Sequence, residues 1–456
     1  MRKISLQGHY VMTRKERTLF EAAFKKRIDE TASACTACGK CFEVCPITKP
    51  AGLDDAGPDE TTRAVRDILR GKPGNADAER WSQACILSGD CIKACDYGVN
   101  PRLMLAMTRM TLSEQQVDAR ERRGAGVKAF AKLGRDLRIL SRIQLTNDQL
   151  ARLGQSAGGG ENQSLNVAPD VVLYTGCNVL KTPHIALLSL DILDALGVRY
   201  RVLGGTSHCC GVLQYRAGDI EAASRMGAST IERFAKTGAT EVLSWCPSCQ
   251  VQFSEINLPN YKAVASDQPL DMTPYMLFLL SRIDELRALM VHPVPMKIAL
   301  HAHRGLDGIP DAARELLNVV PELQLVDLKQ PDVGLMSNAL RPLPEYQKNL
   351  HLAELTAARN ASVDAIAAVY HADHRELCAH EKDWPFQIVN VLEILAASMG
   401  LHQDDRYKRS KISQDSDAIL QDCSAFLIEH NIDPSIARTV IEESLLADQP
   451  LPLGKS

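Results

Sequence analysis

Residues 170–177 read DVVLYTGC. A short run of apolar and β-branched residues, closed by a glycine, is the signature of a strand buried on both faces. The segments after it alternate as those of a parallel sheet do. A helical pattern, PHIALLSLDILDALG (183–197), leads to a second strand, VRYRVLGG (198–205). Then come the helical GDIEAASRMGASTIERFAKTG (218–238) and a third strand, TEVLSWC (240–246). Strands alternating with helices build parallel βαβ units, whose sites lie outside the carboxyl ends of the strands. Cys177, the pair Cys209–Cys210, and Cys246 each follow one of these strands, so separate segments deliver thiols to one edge of the sheet.

The pattern then repeats. KIALHAH (297–303) matches VVLYTGC (171–177), and AAVYHADH (367–374) matches VLSWCPSC (242–249). This places His371 and His374 on the positions of Cys246 and Cys249, and His303 on that of Cys177. DMTPYMLFLLSRI (271–283) and FQIVNVLEILAASMG (386–400) read as the closing helices of the two copies. The second copy has lost its cysteines, and the slot matching the cysteine pair, around Leu335 and Met336, holds none. His301, His303, His371 and His374 are then open to three readings. They are polar residues of a degenerate repeat, ligands of a non-thiolate metal, or proton donors beside a redox site.

Towards the amino terminus, CTACGKCFEVCP (35–46) matches C-x2-C-x2-C-x3-C-P without error. That run holds iron–sulfur cubanes, and in paired sites its fourth cysteine serves the other cluster. The partner run, CILSGDCIKAC (85–95), has Ser88 in the second slot. One [4Fe–4S] cluster would take Cys35, Cys38, Cys41 and Cys95. The other would take Cys45, Cys85 and Cys91, with Ser88 facing the fourth iron. Three thiolates suit a [3Fe–4S] cluster, or a [4Fe–4S] cluster with Ser88, Asp90 or solvent as the odd ligand; outright loss of the second cluster is the remaining reading. Structural zinc also accepts four thiolates, but the spacings and Pro46 match the iron–sulfur form.

The bulk numbers agree with a redox role and little else. Of the fourteen cysteines, twelve fall in the two groups above, while Cys378 and Cys423 stand apart. Both read as inert buried thiols, the alternative for Cys378, near the histidines, being a further ligand or a thiol that reacts with substrate. Clustered cysteines in a long chain without an export signal point to metal chemistry in a reducing compartment, hence a cytoplasmic location. A net charge of −4 gives no reason to expect nucleic acid as a partner. No apolar stretch approaches a transmembrane length. The expected layout is a helical, ferredoxin-like two-cluster domain (1–112), a linker (113–170), an α/β domain with the intact cysteine set (171–290), a degenerate copy (291–400) and a tail (401–456). Gly158–Gly160 in the linker precede no strand-to-helix turn, so no nucleotide loop is expected there.

The spacing C-x31-CC-x35-C-P-S-C, with Gly211 after the pair, resembles the CCG-domain proteins. These include the catalytic subunit of heterodisulfide reductase and iron–sulfur subunits of glycolate oxidase and anaerobic glycerol-3-phosphate dehydrogenase. The order of a ferredoxin-type pair followed by two CCG-type repeats is similar to the fused form of heterodisulfide reductase, over roughly residues 30–400. The resemblance implies a non-cubane [4Fe–4S] cluster on Cys177, Cys209, Cys210, Cys246 and Cys249, with disulfide chemistry there and Gly211 packing beneath it. It further implies an oxidoreductase subunit of a heterodisulfide-reductase-like complex handling thiol–disulfide or sulfur-compound redox chemistry. With no dinucleotide fingerprint in the chain, a flavoprotein partner would exchange electrons with it. The alternative is an electron relay for a flavin-dependent 2-hydroxyacid or glycerol-3-phosphate dehydrogenase.

Overall fold

Two four-stranded sheets carry the second half of the chain. The computed structural model describes residues 14–155, 168–239, 241–265, 270–447 and 449–452. In the first sheet, β1 (Val171–Gly176), β2 (Tyr200–Gly204), β3 (Glu241–Ser244) and β4 (Asp271–Pro274) run parallel in the order β2-β1-β3-β4. In the second, β5 (Lys297–His301), β6 (Gln324–Val326), β7 (Ala365–Ala368) and β8 (Gln387–Asn390) run parallel in the same order, β6-β5-β7-β8. The architecture is therefore duplicated. Val171, Leu173 and Ile185 of the first unit and Ile298, Ala313 and Leu392 of the second are buried in one common core.

The structure corrects the sequence reading in four places. The segments read as closing helices each begin with a four-residue strand, β4 and β8, before the helices Tyr275–Ser281 and Val391–Ser398. Second, Tyr174 lies opposite Ser244, so the sequence match would put Val369 opposite Leu300; instead Leu300 pairs with Ala367. The second copy is slipped by two residues, which keeps every side chain on its face but moves His371 and His374 off the cysteine positions. Third, much of the expected linker is folded. A helix capped by the Asp118 side chain runs Ala119–Arg142, and another with a Thr146–Gln149 capping box runs Asn147–Arg152. Leu137, Leu140, Leu150 and Leu153 are buried from these segments. The glycine-rich residues 156–167 lie outside the described residues. Fourth, the tail, whose sequence reads as a polar linker with a short helical stretch, is packed: Tyr407, Ile419, Val440 and Ile441 are buried with Ile139, Leu140 and Ile366.

The amino-terminal region is helical. Helices Arg14–Ala34, Pro58–Leu69, Ala76–Ala84 and Pro101–Gln116 surround Phe24, Ile47, Trp81 and Met104. Asn75 and Asn100 cap the last two through their side chains, each satisfying an amide that the first helical turn leaves unpaired. Tyr215 of the first α/β unit and Val333 and Leu340 of the second complete this core. No helix among the described residues is long and apolar enough to cross a membrane.

Candidate iron–sulfur and metal centres

Cys177 follows β1, Cys209 and Cys210 follow β2, and Cys246 and Cys249 flank the start of the helix Pro247–Gln252 after β3. All five are buried. Cys249 Sγ donates to Cys210 Sγ at 3.6 Å. Their approach is possible because Gly176 and Gly211 are bare. A Cβ on Gly176, at φ 66°, would lie 3.2 Å from both Cys246 Cβ and Cys249 Sγ. One on Gly211, at φ 83°, would lie 2.7 Å from the Ala223 carbonyl oxygen in the helix Ile220–Ala235. Burial, with Cys210 and Cys246 adding, pushes the Cys177 thiol up. Hydrogen bonds from Cys209 and Cys249 hold Cys210 down as an acceptor. These sulfurs crowd closely enough to interact with one another, and iron cations would take the place of their protons. An all-thiolate, water-poor donor set fits an iron–sulfur cluster.

The two loops of the amino-terminal region are copies of one backbone. Ala37 (φ 58°) and Gly39 (φ 82°) are left-handed around Cys38; Leu87 (φ 62°) and Gly89 (φ 83°) are left-handed around Ser88. Short helices Lys40–Glu43 and Asp90–Lys93 then present Cys41 and Cys91. Burial drives Cys35 upward, and Cys95 and Cys38 add repulsion; burial takes Cys41 to about 12, with Cys35 and Cys38 adding. Burial likewise takes Cys45 to about 11, opposed by a 3.3 Å hydrogen bond from Trp81 Nε1 and reinforced by Cys85. Burial, then Cys85 and Cys45, raise Cys91. Cys35 thus feels Cys38 and Cys95, Cys41 feels Cys35 and Cys38, and Cys45 feels Cys85, while Cys91 feels Cys85, Cys45 and also Cys41. Ser88 is buried in the second loop. Asp90 pairs with Arg304 of the second α/β unit at 3.5 Å.

The four histidines do not form one set. His301 and His303 meet Asp373, each offering one ligand atom within 4.8 Å of the others. His374 instead meets His184, Glu393 and Asp405 under the same criterion, with His374 Nε2 2.6 Å from Asp405 Oδ2. His371 stands apart from both groups, and burial, with Arg375 adding, takes it down to about 3. Asp373, Glu393, Asp405 and His184 went unread in the sequence. Asp373 lies between two of the histidines in HADH, and His184 is a lone polar residue within the apolar PHIALLSLDIL. Those were the available signals.

Cys378 and Cys423 lie in the apolar core shared by the second unit and the tail, away from the other cysteines. A cavity of about 910 Å³ opens beside the end of β2. Arg138, Arg142, Arg201, Arg233 and Lys236 line it, and so does His208, the neighbour of Cys209.

Two stretches of the chain, which hold the clustered cysteines, match known domain families. Residues 30–99 match the 4Fe-4S dicluster domain and residues 171–254 the cysteine-rich domain CCG. The chain is 22% identical over 400 residues to a subunit of the dihydromethanophenazine:CoB–CoM heterodisulfide reductase of Methanosarcina mazei, covering 81% of this chain and 94% of that protein. The same subunit from Methanosarcina barkeri is 21% identical with the same coverage. An uncharacterized iron-sulfur protein of Methanocaldococcus jannaschii is 22% identical, covering 82% of this chain and 76% of that one. No solved structure matches significantly. The chain is thus an iron–sulfur protein that joins a 4Fe-4S dicluster domain to a cysteine-rich CCG domain, and it is homologous to this subunit of heterodisulfide reductase.

Proposed function

We propose that this chain is the iron–sulfur subunit of a cytoplasmic heterodisulfide-reductase-like complex, acting on thiol–disulfide or related sulfur compounds at its CCG thiols. The observation that carries this is the convergence of five buried cysteines from three strand ends on one edge of the first sheet. Cys177, Cys209, Cys210, Cys246 and Cys249 would hold a non-cubane [4Fe–4S] cluster. Cys35, Cys38, Cys41 and Cys95 would hold a cubane. Cys45, Cys85 and Cys91, with Ser88 at the fourth corner, would hold a [3Fe–4S] or unusually ligated [4Fe–4S] cluster. When bound, such clusters supply one-electron transfer, and the protein tunes their potentials through burial and hydrogen bonding.

The chain's own residues do the rest. Trp81 Nε1 donates to the Cys45 sulfur, which favours its thiolate. The arginines of the cavity beside Cys209 give it the charge to hold an anionic sulfur compound. A flavoprotein partner would exchange electrons with the dicluster domain. The second reading, a pure relay to a flavin-dependent dehydrogenase, is favoured by one observation: the ends of β5 and β7 offer no thiol where the first unit has them.

The test is anaerobic purification of the full chain, followed by iron and acid-labile sulfide per chain and EPR in both redox states. Three signals are expected, one of them lost in Cys177→Ser. Reduction of a small disulfide with an artificial electron donor then separates the readings: turnover supports sulfur chemistry, whereas fully loaded protein without turnover supports the relay. Iron for a single cubane would sink both.

A further inference from the structure

Where the second α/β unit lacks cysteines, it gathers another donor set. His301 ends β5, His303 follows two residues later, and Asp373 comes from the helix His371–Leu377 after β7, the neighbouring strand. All three are buried. His303 Nδ1 donates to the Val333 carbonyl at 2.6 Å, and His301 Nδ1 donates to Glu354 Oε2 at 2.6 Å. An imidazole that gives its N–H to a carbonyl or carboxylate presents a lone pair at the opposite nitrogen, which is how metal-binding histidines are held. His303 Nε2 has no hydrogen-bond partner among the described residues and lies 3.4 Å from Asp373 Oδ1. Asp373 is itself fixed, its Oδ1 accepting from the Ser337 amide at 2.8 Å and its Oδ2 from the Tyr370 amide at 3.3 Å. The Ser337 hydroxyl reaches His301 Nε2 only at 3.4 Å.

Two imidazole nitrogens and a carboxylate therefore converge in a buried place, where a polar atom left without a partner, as His303 Nε2 is among the described residues, is costly. A cation would give His303 Nε2 its partner and draw on the other two groups as ligands. The site is reachable, since His301 and His303, together with His351 and Glu354, line a cavity of about 330 Å³. Two imidazoles and one carboxylate with open positions suit zinc or ferrous iron, not calcium or magnesium. We propose that His301, His303 and Asp373 bind one divalent transition-metal ion, with Glu354 and the Val333 carbonyl orienting the imidazoles. The ion's surroundings link it to both cysteine regions. Gly305, two residues beyond His303, packs on the carbonyl of Leu87, the neighbour of Ser88. Tyr370, whose amide holds Asp373, lines a small gap together with Cys246. The ion would sit between the Ser88 loop and the CCG thiols, with open positions for a donor atom of a small thiol or anion. The proposal stands whether or not the CCG site works on sulfur compounds.

The test uses the full chain with its clusters, stripped of loosely held metal by dipicolinate and then given Zn²⁺. Zinc per chain is measured after gel filtration, and the zinc K-edge absorption spectrum is recorded. One zinc per chain is expected, with a first shell of nitrogen and oxygen at about 2.0–2.1 Å, imidazole scattering beyond it and no sulfur. His303→Ala and Asp373→Asn should lose that zinc while iron and acid-labile sulfide stay unchanged, and Glu354→Gln should weaken its affinity about 10- to 100-fold. His184→Gln, in the other histidine group, should keep it. Four results would each overturn the proposal: no zinc in the unaltered chain, a sulfur shell, zinc retained by His303→Ala, or zinc lost in His184→Gln. If His303→Ala or Asp373→Asn does not fold, the spectrum of the unaltered chain still excludes a thiolate site, and weakened zinc binding in the conservative Glu354→Gln, with unchanged binding in His184→Gln, tells the two histidine groups apart.

Discussion

At Ser88 one oxygen stands in a loop shaped for sulfur. Leu87 is held at φ 62° although it has a side chain, a conformation costing roughly 1–3 kcal/mol. The surroundings maintain it: the Ile86 carbonyl accepts from the Leu335 amide at 3.1 Å, and the Leu87 carbonyl accepts from Arg102 at 3.3 Å. A loop kept in the geometry of its intact partner needs only the thiol back. Ser88→Cys is expected to add iron and sulfide to the second site and to convert its EPR signature to that of a four-thiolate cubane. Unchanged iron per chain and an unchanged spectrum would mean the site binds nothing. Gly211 makes the complementary case. Gly211→Ala adds a left-handed residue, about 1–2 kcal/mol, and a contact of 2.7 Å with a helix carbonyl that cannot give way. The atypical CCG signal should fall while the dicluster signals persist. The amino-terminal cysteines were legible in the sequence because their spacing within each loop is itself the geometry, and the other five because each segment follows a strand of one parallel sheet. Asp373 and Glu354 were not, because register and helix packing from distant segments bring them to the histidines.

Elements that bury apolar faces were legible, and those that hide behind charge or brevity were not. β1 and the helix after it announce themselves as VVLYT and PHIALLSLDIL. β4 and β8 are four residues each and run directly into apolar helices, so strand and helix read as one. The helix Ala119–Arg142 carries many charges and three glycines, Gly124, Gly126 and Gly134, which together imitate a linker. Its burial of Leu137 and Leu140 is what makes it a helix. The turn Cys378–Lys382, which packs the tail onto the second unit, carries a pH dependence. Burial holds His380 down at about 4, and its Nε2 accepts from Gln449 Nε2 at 3.0 Å. An unfolded histidine titrates near 6.5. This group's contribution to stability is therefore complete above about pH 6.5 and is lost as pH falls towards 4, at about 1.4 kcal/mol per pH unit. Urea titrations between pH 5 and 7.5 should show a shallower slope in His380→Gln than in the unaltered chain, the remainder belonging to His351 and His371, which burial also holds down at about 3. An identical slope in both would refute the assignment.

At the scale of the molecule, one guanidinium ties the three units together. Arg102, on the helix Pro101–Gln116 of the dicluster domain, donates to Glu255 Oε1 of the first α/β unit through Nε at 3.1 Å. It also donates to the carbonyls of Leu87, in the Ser88 loop, and of Gly305, in the second unit. Arg102 and Glu255 are only 8% and 12% exposed as side chains, so the pair is weakly screened. Removing one member of such a pair strands the other in a poorly solvated place and typically costs about 3–5 kcal/mol. Arg102→Met should accordingly lower the denaturation midpoint strongly and increase hydrogen exchange at residues 85–91 and 303–306. The double replacement Arg102→Met with Glu255→Leu removes both charges and should recover part of the loss, because the carboxylate is no longer left unpaired. If Arg102→Met cost under about 1 kcal/mol, or the double variant were no better than the single, apolar packing would hold the joint instead. The same residue fixes the loop that would carry the second cluster against the unit that would carry the added metal ion. Arg102→Met is therefore expected to alter the EPR line shape of the second cluster while leaving the CCG signal unchanged.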